Sequence, residues 1–284
     1  MKLKDLRLDN LEEFYASLLT AGVGVRTVRL VHGVLHRSLE KAVRYGLVMR
    51  NPVQGAALPR YRHAEMMVLD ETQVSQLLVS VIGCRNEALY HLAVTTGMRQ
   101  GEIFGLKWSD LQWVSGRLYV QRQVQQVRGK TWDTVEPKTR SGKRVIKLGE
   151  GTLQKLREHK ERQDVERKVA GDLWQDLDFI FSSSVGTPID ASNLRLEFHK
   201  VLDRAGLPKI RFHDLRHTAA SLMLNHGIPV IVVSKMLGHS KPTITMDIYG
   251  HLYNEMQDEA AKLMDDLVTP VLVNLDEKAG SSVK

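Results

Sequence analysis

Apolar residues recur at helical spacing along much of the chain. In residues 9–20, Leu11, Phe14, Leu18 and Leu19 mark one face of a helix that Gly22 and Gly24 end. Residues 25–45 predict a longer helix with Val28, Val31, Val34, Leu35, Leu39, Ala42 and Val43 on its apolar stripe. Its other face carries Arg26, Arg29, Arg37, Lys41 and Arg44. Gly46 suits a helix stop, and Asn51-Pro52 a turn. Residues 56–68 show no period and are basic. They read as a linker between a small helical domain, 1–55, and a larger one, 69–265, followed by a C-terminal segment, 266–284.

The larger domain opens with a capping box, Asp70 to Gln73, ahead of Val74, Leu77, Leu78 and Val81. Helices are expected over 86–96, ending at Gly97, then over 152–169, 191–205 and 213–226, with Pro229 and Pro242 in the first turns of two more. Strand signals lie in 117–127, and 134–138 with 143–148 predict a hairpin around residues 139–142. The expected fold class is mainly α with a small antiparallel β-sheet (α+β).

Composition narrows the function classes. With 284 residues, 43% hydrophobic and 26% charged, the chain has the balance of one large or two modest globular domains. That excludes a mostly disordered chain, a collagen and a coiled-coil rod. The single cysteine, Cys84, excludes an internal disulfide framework and a cysteine-based zinc site. No apolar run approaches the ~20 residues of a membrane span, and MKLKDLRLDN has no signal core. The expectation is a cytoplasmic protein.

The 40 Lys and Arg against 33 Asp and Glu give a net charge of +7. Its placement says more than its size. Arg26, Arg29 and Arg37, then Arg60 and Arg62, then Arg140, Lys143 and Arg144 form basic clusters, and these are the residues expected to bind a phosphate-bearing polyanion.

Four segments carry the chemistry. They are Thr96-Gly-Met-Arg-Gln-Gly-Glu-Ile103, Glu136-Pro-Lys-Thr-Arg-Ser-Gly-Lys-Arg144, His213-Asp-Leu-Arg-His217, and Leu237-Gly-His-Ser240 followed by Asp247-Ile-Tyr-Gly-His251. They present Arg99, Lys138, His213, Arg216, His239 and Tyr249 in chain order. This set resembles the tyrosine recombinase (phage integrase) family, and the resemblance spans about residues 5–265. It implies a core-binding domain, a catalytic domain and a tyrosine nucleophile. The family's core-binding domain has four or more helices, so the sequence is expected to begin inside that domain.

The residue types suit metal-free phosphoryl transfer. Attack on a phosphodiester places charge on non-bridging oxygens, which fixed donors must meet. The planar fork of arginine matches two such oxygens, and Arg99 and Arg216 fit that role. His213 and Arg216, three residues apart, share a helix face. Gly97 and Gly101 would let a helix start approach the DNA backbone. By resemblance, Glu102 orients the arginines, although a helix-start carboxylate explains it equally well. By resemblance also, Lys138 protonates the leaving 5′-oxygen, with Lys143 as competitor, and His239 donates to the scissile phosphate. Tyr249 is the expected nucleophile and Tyr253 its rival. The spacing of His213 and His217 also suits a metal, but the family uses neither metal nor other cofactor.

The resemblance implies a site-specific DNA recombinase that forms a 3′-phosphotyrosyl intermediate and a Holliday junction. Its partners would be double-stranded attachment or core sites and three further copies of itself in a tetramer. An accessory DNA-bending protein and a directionality factor would join them. Phage or mobile-element integration is the expected setting. The alternatives are an N-terminally truncated remnant that binds such sites without recombining them, and relaxing activity like that of type IB topoisomerases.

Overall fold

Two helices, α1 (Leu8–Thr20) and α2 (Val25–Arg44), organise the start of the chain. A computed structural model describes residues 3–61, 67–125, 132–136, 142–250 and 261–268. The chain divides into two units, Met1–Glu65 and Met66–Lys284. In the first, Leu11 and Tyr15 of α1 meet Val28 and Leu39 of α2. Two helices alone bury little surface, and the following turn adds to them. Val53 is fully buried, and Ala56 and Leu58 pack on the same cluster, so part of the segment expected to be linker belongs to this core. Asn51 pins the turn. Its side-chain amide donates to the His36 carbonyl at 3.0 Å and to Glu40 at 3.2 Å, while its oxygen accepts the Val53 N–H at 3.1 Å. Arg26, Arg29 and Arg37 lie on the exposed face of α2, as its amphipathic pattern requires.

The second unit surrounds a buried helix. α3 (Glu71–Ser80) begins with the expected capping box: Asp70 accepts the Gln73 N–H at 2.8 Å, and Gln73 accepts the Asp70 N–H at 3.0 Å. α4 (Glu87–Thr96) buries Ala88, Leu89, Tyr90, Leu92 and Ala93 and packs against two longer helices, α6 (Glu150–Ala170) and α8 (Asp214–Asn225). α7 (Ala191–Ala205) covers α3, and its Phe198 packs with Tyr90 and Phe212. Two short helices, α9 (Val230–Leu237) and α10 (Pro242–Tyr249), follow α8. α5 (Gln100–Phe104) is a single turn after α4.

The fold class is mainly α with small antiparallel sheets, as expected, but the strand pairing differs from the expected hairpin. β1 (Leu111–Gln112), β2 (Arg117–Val120) and β5 (Arg144–Lys147) form one antiparallel sheet in the order β1-β2-β5. β3 (Gln123–Gln125) and β4 (Asp133–Val135) form another. The expected strand over 117–127 is therefore two strands, and the segments expected to pair across 139–142 sit in different sheets. Burial explains this. The register sets Leu118 opposite Ile146, both in the core, whereas β4 buries no side chain and is left to pair with β3. Among the described residues no helix is long and apolar enough to cross a membrane.

Candidate active site

The site is built where three chain turns meet in the second unit. α4 ends at Gly97, whose φ of 62° is left-handed. A Cβ there would stand 2.6 Å from Leu237 Cδ2 and 3.3 Å from Ala219 Cβ. At Gly101 a Cβ would stand 2.9 Å from the Val124 carbonyl oxygen. Both glycines therefore make room for protein, namely α8, α9 and β3, and not for DNA as their sequence context suggested.

Arg99 and Glu102 follow on this turn. Glu102 is buried and accepts the Arg99 backbone N–H at 3.0 Å and Arg99 Nη1 at 2.8 Å. Its carboxylate also accepts Arg144 Nη2 at 2.8 Å and Arg144 Nη1 at 3.2 Å. Burial pushes the Glu102 carboxyl up, but the hydrogen bonds and charges of Arg144 and Arg99 outweigh it and hold the pKa below the usual carboxylate value. One carboxylate thus fixes two cations with opposite exposures. The Arg99 side chain is 39% exposed, and that of Arg144 only 8%.

Arg144 is the clearest departure from the expected DNA-binding set. Its guanidinium points inward because Glu102 requires a second cation. Its Nε donates to the Met236 carbonyl at 2.6 Å, which ties β5 to α9. Lys143 remains outside, in an ion pair with Glu136 at 2.9 Å. Arg60 is exposed, and Arg29 donates to the Pro59 carbonyl at 3.0 Å. Lys138, Arg140, Arg62, His251 and Tyr253 lie outside the described residues.

Arg216 is nearly inaccessible at 4% exposure. Its Nη1 donates to the carbonyls of Gly97 and Leu237, each at 2.8 Å, while Nη2 is buried with no hydrogen-bond partner among the described residues. Arg99 Nη2 lies 3.5 Å from the next carbonyl, Gly238. The two arginines therefore converge on one turn, Leu237-Gly238, immediately before His239. Burial first, then the charge of Arg99, lowers the Arg216 pKa to about 9, so the group stays cationic at neutral pH. A buried cation with an orphaned donor fits an incoming anion.

The histidines differ in what they face. His239 Nδ1 lies 2.8 Å from Oγ1 of the fully buried Thr245, which fixes the ring. Its pKa falls to about 4, through burial and then the charges of Arg216, Arg99 and Arg144. His213 caps the start of α8, is exposed, and stands edge-on to His217 with ring centroids 5.4 Å apart. Partial burial first, then His217 and Arg216, lowers its pKa. Asp214, at the first position of α8, accepts from Arg211 N and Nη2, each at 2.7 Å.

Tyr249 ends α10 and is 1% exposed, packed with Ala220, Leu224, Val233 and Leu237. Its hydroxyl lies 2.7 Å from His217 Nδ1. Burial raises the phenol pKa and Arg216 opposes that shift. His217 and Thr245 are thus site residues that the sequence did not single out. The spacing of His213 and His217 was visible only as a weak metal pattern, and Thr245, one turn before Tyr249, carried no signal of its own.

Residues 67–256 match the phage integrase family. A XerC-like tyrosine recombinase of Caldanaerobacter subterraneus subsp. tengcongensis is 31% identical over 94% of this chain and 73% of its own length. The Tn1549 transposon integrase bound to a circular-intermediate DNA superposes with a TM-score of 0.79 at 22% identity, over 92% of this chain and 86% of that one. A lambda integrase from a tetramer on a Holliday junction gives 0.60 at 21% identity, over 85% and 66%. The chain belongs to the phage integrase family of tyrosine recombinases, enzymes that recombine DNA at specific sites by cleaving and rejoining its strands.

Proposed function

We propose that this chain integrates and excises a mobile element, with Tyr249 as the nucleophile and Arg99, Arg216, His213 and His239 as donors to the scissile phosphate. The observation that carries this reading is the meeting of Arg99 and Arg216 on adjacent carbonyls, Gly238 and Leu237, beside His239 and in the packing layer of Tyr249. Arg216 Nη2, without a partner among the described residues, supplies a fixed donor before any reorganisation, which is what a pentavalent phosphate requires. Attack by Tyr249 forms a 3′-phosphotyrosyl bond that keeps the energy of the broken phosphodiester, so rejoining needs no nucleotide. Lys138 is the acid for the 5′-oxygen, and Glu102 positions Arg99.

The working assembly is a tetramer on two duplexes, passing through a Holliday junction in the bacterial cytoplasm and assisted by a DNA-bending protein and a directionality factor. Residues 261–268 are helical and expose Leu263, Met264, Leu267 and Val268, an apolar face for a neighbouring copy. Arg26, Arg29 and Arg37 hold the DNA backbone.

The test is covalent trapping on nicked duplexes cut from the DNA that flanks the gene for this chain. Stopped with SDS, wild type and Tyr253→Phe leave protein on DNA ends, and Tyr249→Phe leaves none. Adducts that persist in Tyr249→Phe would sink this assignment. DNA binding without any wild-type adduct would favour a binding protein.

A further inference from the structure

We propose that His217 is the general base of strand cleavage: Nδ1 takes the phenolic proton of Tyr249 as its oxygen attacks phosphorus, and returns it when the strand is rejoined. The inference rests on Tyr249 being the nucleophile and assigns a role to a residue outside the expected set.

Geometry comes first. The hydroxyl and Nδ1 are 2.7 Å apart, within direct proton-transfer reach, and the ring centroids are 6.0 Å apart. Tyr249 is 1% exposed, so bulk hydroxide has little access to its proton. Burial raises the phenol pKa, so the tyrosine does not ionise in advance. The proton must leave as the new bond forms, and the receiving group must already be in contact. Among the described residues His217 is the hydrogen-bond partner of that hydroxyl.

The surroundings suit a base. Burial lowers the His217 pKa below 6.5, Asp214 opposes that shift, and Arg216 and Arg211 reinforce it. The ring is therefore neutral at neutral pH, with a lone pair to offer. His213 stands edge-on to it at 5.4 Å, and a proton on His217 would lower the His239 pKa. Asp214 is the anion that would stabilise the imidazolium once formed. His213, which is exposed, is left to face the phosphate. Two histidines four residues apart thus divide the work between donor and base.

The step balances. The bond between phosphorus and the Tyr249 oxygen forms and the bond to the 5′-oxygen breaks. The phenolic proton moves to Nδ1, and the 5′-oxygen takes a proton from a separate acid, the role given above to Lys138. Rejoining reverses each transfer, and nothing is oxidised or reduced.

A leaving-group substitution separates base from acid. The scissile position is first mapped with wild type on the flanking-DNA duplex. Single-turnover cleavage is then compared on that duplex and on one with bridging sulfur at the 5′ position, which leaves without a proton. His217→Ala is expected to slow both substrates by roughly 10²–10⁴-fold while DNA affinity and the unfolding midpoint hold. Lys138→Ala is expected to slow only the oxygen substrate. His217→Asn keeps a hydrogen-bonding partner for the hydroxyl and should remain slow. In wild type the rate should level off once the imidazole is neutral, and in both variants it should keep rising with pH. Wild-type rates for His217→Asn, or a loss under tenfold with an unchanged pH profile in His217→Ala, would overturn the proposal. In either case an inactive Tyr249→Phe leaves the nucleophile assignment standing, whereas an active one would remove both.

Discussion

Glu102 and Arg144 form a buried ion pair, with Arg144 Nη2 and Nη1 at 2.8 Å and 3.2 Å from the two carboxylate oxygens. They are 42 residues apart and join the turn that carries Arg99 to β5 and, through Met236, to α9. Breaking one side of such a pair leaves an uncompensated buried charge, which costs about 3–5 kcal/mol. Arg144→Ala should therefore lower stability by about that amount in urea unfolding. Lys143→Ala, which removes an exposed pair, should change it by under about 1 kcal/mol. Equal effects would contradict the inward role of Arg144.

Thr245 and His239 give a test of positioning. Thr245→Val removes the oxygen 2.8 Å from His239 Nδ1 and keeps the side-chain volume. Single-turnover cleavage should fall about tenfold or more, in line with loss of a partner that orients a catalytic histidine. Thr245→Ser should restore most of it. DNA affinity should be unchanged in both.

Arg216 should show its value only with a phosphate. Arg216→Lys replaces a planar fork by a point charge and should slow cleavage by about 10²–10³-fold. Inorganic phosphate should raise the unfolding temperature of wild type by binding the native state. It should raise that of Arg216→Gln by less. An equal shift in the two proteins would show that phosphate binds elsewhere.

The histidines set an acid limit on stability. His239 has a folded pKa of about 4 against an ordinary 6.5, and His213 and His217 are lowered as well. Between those values the unfolded chain holds the extra protons, so stability rises with pH. Their contribution is complete above about 6.5 and is lost as pH falls toward 4. Glu102, also lowered, adds a further loss below its ordinary 4.5. The urea midpoint should therefore fall steadily from pH 7 to pH 4, less steeply in His239→Gln. A flat profile in wild type would contradict the neutral histidines.

Residues 261–268 bear on assembly. Deleting 267–284 removes Leu267 and Val268 from the exposed helix and should reduce multimers on DNA in gel filtration and synapsis assays while cleavage of one site continues. Unchanged synapsis would exclude the segment as a docking element.

Local features were legible in the sequence because local physics decides them. Asp70 and Gln73 formed the expected cap, and Gly97 ends α4 with a left-handed residue, as its place in the sequence predicted. Arg99, Arg216, His239 and Tyr249 could be picked out because their flanking segments resemble a known family, and all four fall in one unit. What could not be read is what depends on distant packing. β4 pairs with β3 rather than β5 because Ile146 belongs opposite Leu118 in the core. Arg144 turns inward because a carboxylate 42 residues away lacks a second cation. His217 meets Tyr249 only once α10 is laid against α8, a contact spanning 32 residues.

The most direct measurement is to identify the residue that carries the DNA. Wild-type protein is trapped on a nicked flanking-DNA duplex, digested with protease and nuclease, and the peptide bearing a 3′-phosphonucleotide is sequenced by mass spectrometry. The account predicts the modification on Tyr249. A modification on Tyr253, or on any other residue, would contradict it.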